Sequence, residues 1–575
     1  MSSYNRFPTT VIENYEGSAI SGWKDIVSKI QKEIPDKKYV LAIDTYPGVD
    51  DEEVLNAVNS LHPSLFINME DLLYPEEKTD EMLKPWLTDD RTFGKMCFSD
   101  LSCFQDPDKV KQAVSSVENA NGLIVIYGFG AASLTKPDKL VYLDMARWEI
   151  QLRYRAGMSN YHTHNSDEEI LKKFKRGYFV EWRIADRHKR TLFNDIDYLI
   201  DTNKKNHPVM ITGDMFREGL HEIVKQPFRL VPYFDAGVWG GQWMKEKFDL
   251  SAGEKNYAWS FDGVPEENSL LLQFGDAKVE VPAEDLVLFE PVHLLGEKNY
   301  ARLGAEFPIR FDFLDTMHGQ NLSLQVHPTT DYIHEQFGMA YTQNESYYIL
   351  DADKDACVYL GTKTGTDPDE MIDALETSQK TGEPFDAEKY INKIPAKRHD
   401  HFLIPAGTIH CSGANSVVLE ISATPYIFTF KLYDWGRLGM DGRPRPINIE
   451  HGSHVINWDR NTEYVKDHLV DQFHVLEEND DYTVEKTGLH ELEFIETYRY
   501  TIQTAVTIDL QNTVSMLNLV EGEEISITSD NNSFKPFTVH YAETFILPAD
   551  LGEVTIKAVK GPVKIMRAFI TDSQS

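Results

Sequence analysis

Hydrophobic and polar positions follow three textures along the 575 residues. From 1 to 222, short apolar runs bounded by turn or charged residues alternate with helix-length amphipathic stretches. The runs are KYVLAID (38–44), LFINM (65–69), GLIVIYG (122–128), KLVYLDM (139–145) and IDYLID (196–201). Between two of them, DPDKVKQAVSSVENA (106–120) opens on Asp-Pro, a side-chain cap followed by a preset first-turn φ, and so predicts a helix. Alternation of this kind argues for an α/β layer built on a mainly parallel sheet. From 223 to 460 the pattern shifts to strand-like runs, Gly and Pro turns and aromatics. One stretch there, TDPDEMIDALETSQ (366–379), returns to helical spacing at Met371, Ile372 and Leu375 and marks a helical insertion over about 362–395. From 461 to 575 come YTIQTAVTIDL, VSMLNLV, EISITS, FTVHYAETFILPA, EVTIKAV and VKIMRAFI, short strands whose spacing suggests a second sandwich or barrel. The expected fold class is multidomain: a parallel α/β domain, then two all-β domains.

The run NLSLQVHP (321–328) carries a Gln and a His two residues apart, which on a strand point to one face. Gln325 and His327 then need partners. Glu345 opens the strand-like ESYYIL, and His410 closes PAGTIH (405–410) after a Pro-Ala-Gly turn. In a small barrel, inward residues of neighbouring strands meet at one level of the lumen. Two imidazoles, a carboxylate and an amide oxygen would suit Zn²⁺, with Fe²⁺ or Mn²⁺ as alternatives. Taken singly, each residue reads as structural; the ordered set points to a metal.

No comparable set stands out in the first domain. A phosphate-cradling loop after the first strand would read Gly, four residues, Gly-Lys-Ser/Thr, whereas this chain reads DTYPGVDDEEV, rich in acid. GFGAAS (128–133) lacks the full dinucleotide pattern, and HTH (162–164) reads as a polar loop before a helix starting at SDEE, with a metal as the alternative.

Charge narrows the partners. With 57 basic and 92 acidic side chains the formal charge is −35, a field that repels nucleic acid and anionic membranes. No window approaches 18 consecutive apolar residues, and the opening MSSYNRFPTTVIENYEGSAI has no signal-peptide pattern, so a cytoplasmic protein is expected. The four cysteines are few and scattered, which suits reduced thiols.

VWGG (238–241), LSLQVHP (322–328), ESYYIL, PAGTIH, VLEI (418–421) and KLYDWGR (431–437) with DGRPRPINI together resemble the class I mannose-6-phosphate isomerases, zinc enzymes built on cupin barrels. ETFILPA (543–549) is similar to that family's C-terminal barrel, while the outline of 1–222 resembles a degenerate P-loop kinase fold, with RIADRHKR (183–190) at the place of a basic lid. The resemblance implies tandem cupin (jelly-roll) barrels and the interconversion of mannose 6-phosphate and fructose 6-phosphate through an enediolate. It implies a metal held by Gln325, His327, Glu345 and His410, catalytic roles for Glu420 and Lys431, and substrate contacts for Trp239, Ser323 and Gln343. The chain departs from the family pattern at Gln343, where a Lys is usual, and at Lys431, where an Arg is usual. An acid run before that Arg is replaced by ATPYIF (423–428). These departures keep a second reading open: a metal-binding cupin that binds a sugar or sugar phosphate as a sensor or accessory protein.

Overall fold

A computed structural model describes residues 3–13, 19–423, 428–488 and 493–571. The chain forms two compact units, one of Thr9–Ile223 with Glu266–Glu290, the other of Met1–Pro8, Val224–Pro265 and Pro291–Ser575.

The first unit is centred on a seven-stranded sheet in the order Ile20–Ser21, Val209–Thr212, Tyr198–Asp201, Lys139–Asp144, Tyr39–Thr45, Leu123–Tyr127, Leu65–Asn68. The four central and outer pairings from Tyr198–Asp201 to Leu65–Asn68 are parallel. Leu123–Tyr127 is buried along its whole length, as an unbroken apolar run must be when both sheet faces are covered. Helix Pro107–Asn119 starts where Asp-Pro predicts, with the Asp106 carboxylate accepting from the N–H groups of Asp108 and Lys109.

Residues 266–290 belong to this unit, a correction to the expected single cut at 222. They form a hairpin, Ser269–Phe274 with Ala277–Pro282, and Thr9–Ile12 pairs parallel to its first strand. Helix Ala283–Phe289 follows. A hairpin inside β-rich sequence carries no local mark of the unit it joins.

RIADRHKR is a second correction. It lies in helix Trp182–Arg190, and its basic side chains are engaged with protein groups. Lys189 Nζ is buried 2.8 Å from Asp144 and 2.7 Å from Asp285, and Arg183 pairs with Glu266. Such a helix is an internal strut, not a phosphate-facing lid.

In the second unit, one six-stranded sheet runs His401–Ile404, Glu345–Ala352, Ser416–Ala423, Ile309–Asp315, Trp259–Gly263, Tyr233–Asp235. It faces a five-stranded sheet of Ile391–Pro395, Cys357–Thr362, His410–Ser412, Leu324–Val326, Phe430–Tyr433. Helix Pro368–Thr381 interrupts the strands, capped by Asp367 and closed by Gly382 at φ 76°. Downstream, a six-stranded and a four-stranded sheet enclose an apolar core that includes Ile502, Leu517, Ile527, Phe545 and Ile556. Among the described residues no helix is long and apolar enough to cross a membrane. Cys97, Cys103, Cys357 and Cys411 are free thiols.

Candidate metal centre

Register brings the polar positions together. In the five-stranded sheet Gln325 pairs with His410 on one side and Lys431 on the other, so three side chains stand in a row on one face. His327 follows on that face two residues on. In the six-stranded sheet Glu345 and Arg310 both pair with Ser422, while Tyr347 and Asp312 both pair with Glu420. That row therefore presents Arg310, Asp312, Glu420, Ser422, Glu345 and Tyr347.

The Pro-Ala-Gly turn sets the height of His410. Gly407 sits at φ 85°, a left-handed conformation that favours glycine, and its N–H donates to the carbonyl of His327 at 2.9 Å. Thr408 Oγ1 closes the turn onto the Pro405 carbonyl at 2.7 Å. The turn thus ties the strand of one imidazole to the strand of the other.

His327, Glu345 and His410 are all buried, and one ligand atom from each lies within 4.8 Å of the others. His327 Nε2 is 3.1 Å from Glu345 Oε2, and His410 Nε2 is 2.7 Å from Glu345 Oε1. Each ring is fixed from behind: the Nδ1 nitrogens lie 3.1 Å from the Phe428 carbonyl and 2.9 Å from the Thr408 carbonyl. A carbonyl can only accept, so Nδ1 of each ring carries the proton. In the neutral imidazole Nε2 then keeps its lone pair. Lone pairs facing carboxylate oxygens at such distances call for a cation among them. His327 Nε2 and Glu345 Oε1 have no hydrogen-bond partner among the described residues, which fits that requirement. The Gln325 amide nitrogen faces His410 Nε2 at 3.3 Å. This donor set, with backbone carbonyls orienting both rings, could hold a metal ion.

The electrostatics separate the acids. Burial would raise the Glu345 carboxyl, but protonated His327 and His410 would hold it well below the usual carboxylate range, and a cation between neutral rings would act in the same direction. Burial pushes Glu420 well up, reinforced by Asp312 and Glu345 and opposed by Arg310. Asp312 is pushed up to about 7 by burial, opposed by Arg310 and reinforced by Glu345 and Asp262. Arg310 Nη1 donates to Glu420 Oε1 at 2.9 Å. Gln343 Nε2 bridges Glu345 at 2.9 Å and Glu420 at 3.3 Å. One amide therefore links the charged acid of the cluster to the acid that favours its proton.

Of the residues expected from sequence, Gln325, His327, Glu345, His410, Gln343 and Glu420 form one hydrogen-bonded or ion-paired group, and Lys431 stands beside Gln325 in register. Ser323 and Trp239 make other contacts. Ser323 Oγ donates to Asp434 at 2.7 Å, within a network that includes Arg437 and Arg445. Trp239 packs edge-on against Trp259, ring centroids 4.7 Å apart. Residues 424–427 of ATPYIF lie outside the described residues. Arg310, Asp312 and Tyr347 escaped the sequence reading. The signal was available, because IRFDFLD places Arg310 and Asp312 two apart on one strand face, as LSLQVHP does Gln325 and His327. His162 and His164 sit in the loop before helix Ile170–Arg176 and contact Glu70 and Glu76 respectively.

Comparison with known proteins places relatives beside this geometry. Residues 22–225 match the family described as "Domain of unknown function (DUF8485)". The chain is 24% identical over 339 residues to mannose-6-phosphate isomerase ManA of Bacillus subtilis, covering 58% of this chain and 97% of that protein. It is 25% identical over 335 residues to the probable mannose-6-phosphate isomerase GmuF of the same organism, covering 58% and 96%. The relatives are sugar-phosphate isomerases by name. Among solved structures, that of the B. subtilis mannose 6-phosphate isomerase aligns over 60% of this chain and 99% of its own, with 20% identity and a TM-score of 0.49.

Proposed function

We propose that the protein is a metal-dependent aldose–ketose isomerase that interconverts mannose 6-phosphate and fructose 6-phosphate through an enediolate, on tandem cupin barrels. The observation that carries this reading is the convergence of His327, His410 and Glu345, with both Nδ1 atoms held by backbone carbonyls. Sequence similarity to mannose-6-phosphate isomerases over almost their whole length supports the substrate class.

Gln325, His327, Glu345 and His410 would hold the ion, Zn²⁺ in the first instance and Fe²⁺ or Mn²⁺ as alternatives. A bound divalent ion would supply positive charge against the negative oxygen that develops as a proton leaves C2. Glu420 is the proposed proton carrier between C2 and C1, because burial beside two other acids strengthens its hold on a proton. Gln343 holds Glu420 and Glu345 in fixed relation. Lys431, beside Gln325, meets the phosphate or the enediolate with a point charge rather than the planar fork of an Arg. Trp239 and Ser323 would line the approach, Ser323 by way of Asp434.

The amide at Gln343 favours one alternative: a metal-binding cupin that binds a sugar phosphate without turning it over, since an amide cannot carry a proton. Incubation of the zinc-loaded protein with mannose 6-phosphate in deuterated water separates the two. An isomerase loses the C2 proton signal and forms fructose 6-phosphate, while binding without exchange leaves only the second reading. If Gln343 and Lys431 limit the rate, the double variant Gln343→Lys, Lys431→Arg gains turnover; a folded double variant with no gain removes that explanation.

A further inference from the structure

In the first unit, the backbone N–H groups of one glycine turn are occupied by a side chain of the protein itself. Gly130 and Ala132, in GFGAAS, donate their N–H groups to the Asp44 carboxylate at 3.0 and 2.9 Å, and His188 Nε2 adds a contact at 2.8 Å. Asp44 is fully buried. Backbone N–H groups of a glycine turn are an anion cradle, and here the anion is internal.

Next to this filled cradle lies an open cavity of about 600 Å³. It is within the range of roughly 300–1,000 Å³ usual for small-molecule pockets. Thr45, Asn68 and Tyr127, the last residues of strands Tyr39–Thr45, Leu65–Asn68 and Leu123–Tyr127, all line it. The chain leaves Tyr39–Thr45 toward the edge strand Leu65–Asn68. It leaves Leu123–Tyr127 toward Lys139–Asp144, on the opposite side of Tyr39–Thr45. Connections that leave two adjacent parallel strands in opposite directions mark a reversal of strand order, and ligands of α/β sheets bind at the carboxyl ends of the strands there.

The wall chemistry narrows the ligand. Four carboxylates line the cavity, and each has a partner within the wall. Asp50 pairs with Lys205 at 2.6 Å, Glu149 with Arg153 at 3.2 Å, and Glu70 with His162 at 3.1 Å. The Tyr127 hydroxyl donates to Asp51. The wall therefore keeps an excess of acid over its two permanent cations, Lys205 and Arg153, which disfavours an anionic ligand, and it is rich in acceptors. Tyr161, also in the wall, has a hydroxyl without a hydrogen-bond partner among the described residues. Tyr46, Tyr127 and Phe129 add aromatic surface. Acceptors and donors around aromatic rings, with the anion cradle already filled, suit a neutral ligand bearing several hydroxyls. We propose that this cavity is a second small-molecule site, selective for an unphosphorylated sugar.

The proposal does not depend on the isomerase reading, and the test keeps the two sites apart. Full-length protein is probed with D-mannose, D-fructose and D-glucose at millimolar concentrations, and with their 6-phosphates and inorganic phosphate, by peptide-resolved hydrogen exchange. The expected result is protection of segments 45–51 and 156–163 by at least one free hexose, retained in Glu345→Gln and weakened at least about tenfold in affinity by Glu70→Gln or Asp51→Asn. Protection confined to segments around 325, 345 and 410 would overturn the proposal. So would protection of 45–51 and 156–163 by phosphate alone, or none there with any free hexose. Because the exchange pattern of the unmodified protein locates the site, the test stands even if a variant fails to fold.

Discussion

The His327–Glu345–His410 cluster and the Asp44–Gly130 loop are both buried, both polar and both tied to glycine turns, yet they end differently. In the first unit the buried acids have partners: Asp44 accepts from two N–H groups and lies beside His188, and Lys189 pairs with both Asp144 and Asp285, leaving only Asp285 Oδ2 of these three acids without a hydrogen bond among the described residues. In the cluster, His327 Nε2 and Glu345 Oε1 lack a hydrogen-bond partner among the described residues while the back of each imidazole is fixed. Burial of an unanswered polar atom costs free energy, so several such atoms converging on one point call for a group that completes them. The comparison teaches that orphaned atoms converging on one point, rather than buried charge in general, mark the place of an absent ligand.

The comparison breaks first at Glu345. Glu345→Gln should reduce metal content from roughly one ion per chain to near none, with turnover lost in parallel, because the only carboxylate of the cluster is gone. Metal analysis after dialysis checks this; retained stoichiometric metal would show that the cluster is not the site. Next, Glu420→Gln should keep the metal and lower kcat by about 10²–10⁴-fold, the usual worth of a positioned acid–base group. A rate within a few-fold of the parent would remove Glu420 from the chemistry.

The answered region should fail as structure, not as chemistry. Lys189→Met leaves Asp144 and Asp285 buried without their cation and should destabilise by about 3–5 kcal/mol, while metal content stays unchanged. Denaturant midpoints measure it, and an unaltered midpoint would contradict the role assigned to the ion pairs. A last effect, confined to acid pH, concerns His401, whose two ring nitrogens also lack hydrogen-bond partners among the described residues but which has no convergent ligands there. Burial, helped by Arg499, lowers its pKa to about 3. The unfolded chain takes the proton first, so the stability His401 contributes is complete above about pH 6.5 and is lost, at about 1.4 kcal/mol per pH unit, as pH falls toward 3. His401→Leu should flatten the acid side of the stability profile by that slope. A variant as acid-sensitive as the parent would contradict it.

Much of this was legible in the chain. Asp-Pro at 106–107 and 367–368 marks two helix starts that the structure reproduces within two residues, because a cap and a preset φ act locally. The i, i+2 spacing of Gln325 and His327 gave a shared face, and Glu345 and His410, named as its partners from the chain, are brought beside His327 by the fold. What escaped has a common cause. The hairpin at 266–290 joins the first unit through pairing with Thr9–Ile12, more than 250 residues away, and no local pattern records that. Arg310 and Asp312 matter because of strands beside them, and Ser323 meets Asp434 through a fold that sequence spacing does not encode. RIADRHKR reads as a basic lid since basic residues are usually exposed, yet its Lys189 is buried between acids from two distant segments, Asp144 and Asp285.

The most direct test of the central claim is a coupled assay for fructose 6-phosphate from mannose 6-phosphate, run on metal-stripped and zinc-reconstituted protein side by side. The account predicts turnover that is absent after stripping and restored by zinc. Well-folded, zinc-loaded protein without turnover would contradict the isomerase reading and leave a metal-holding sugar-phosphate binder in its place.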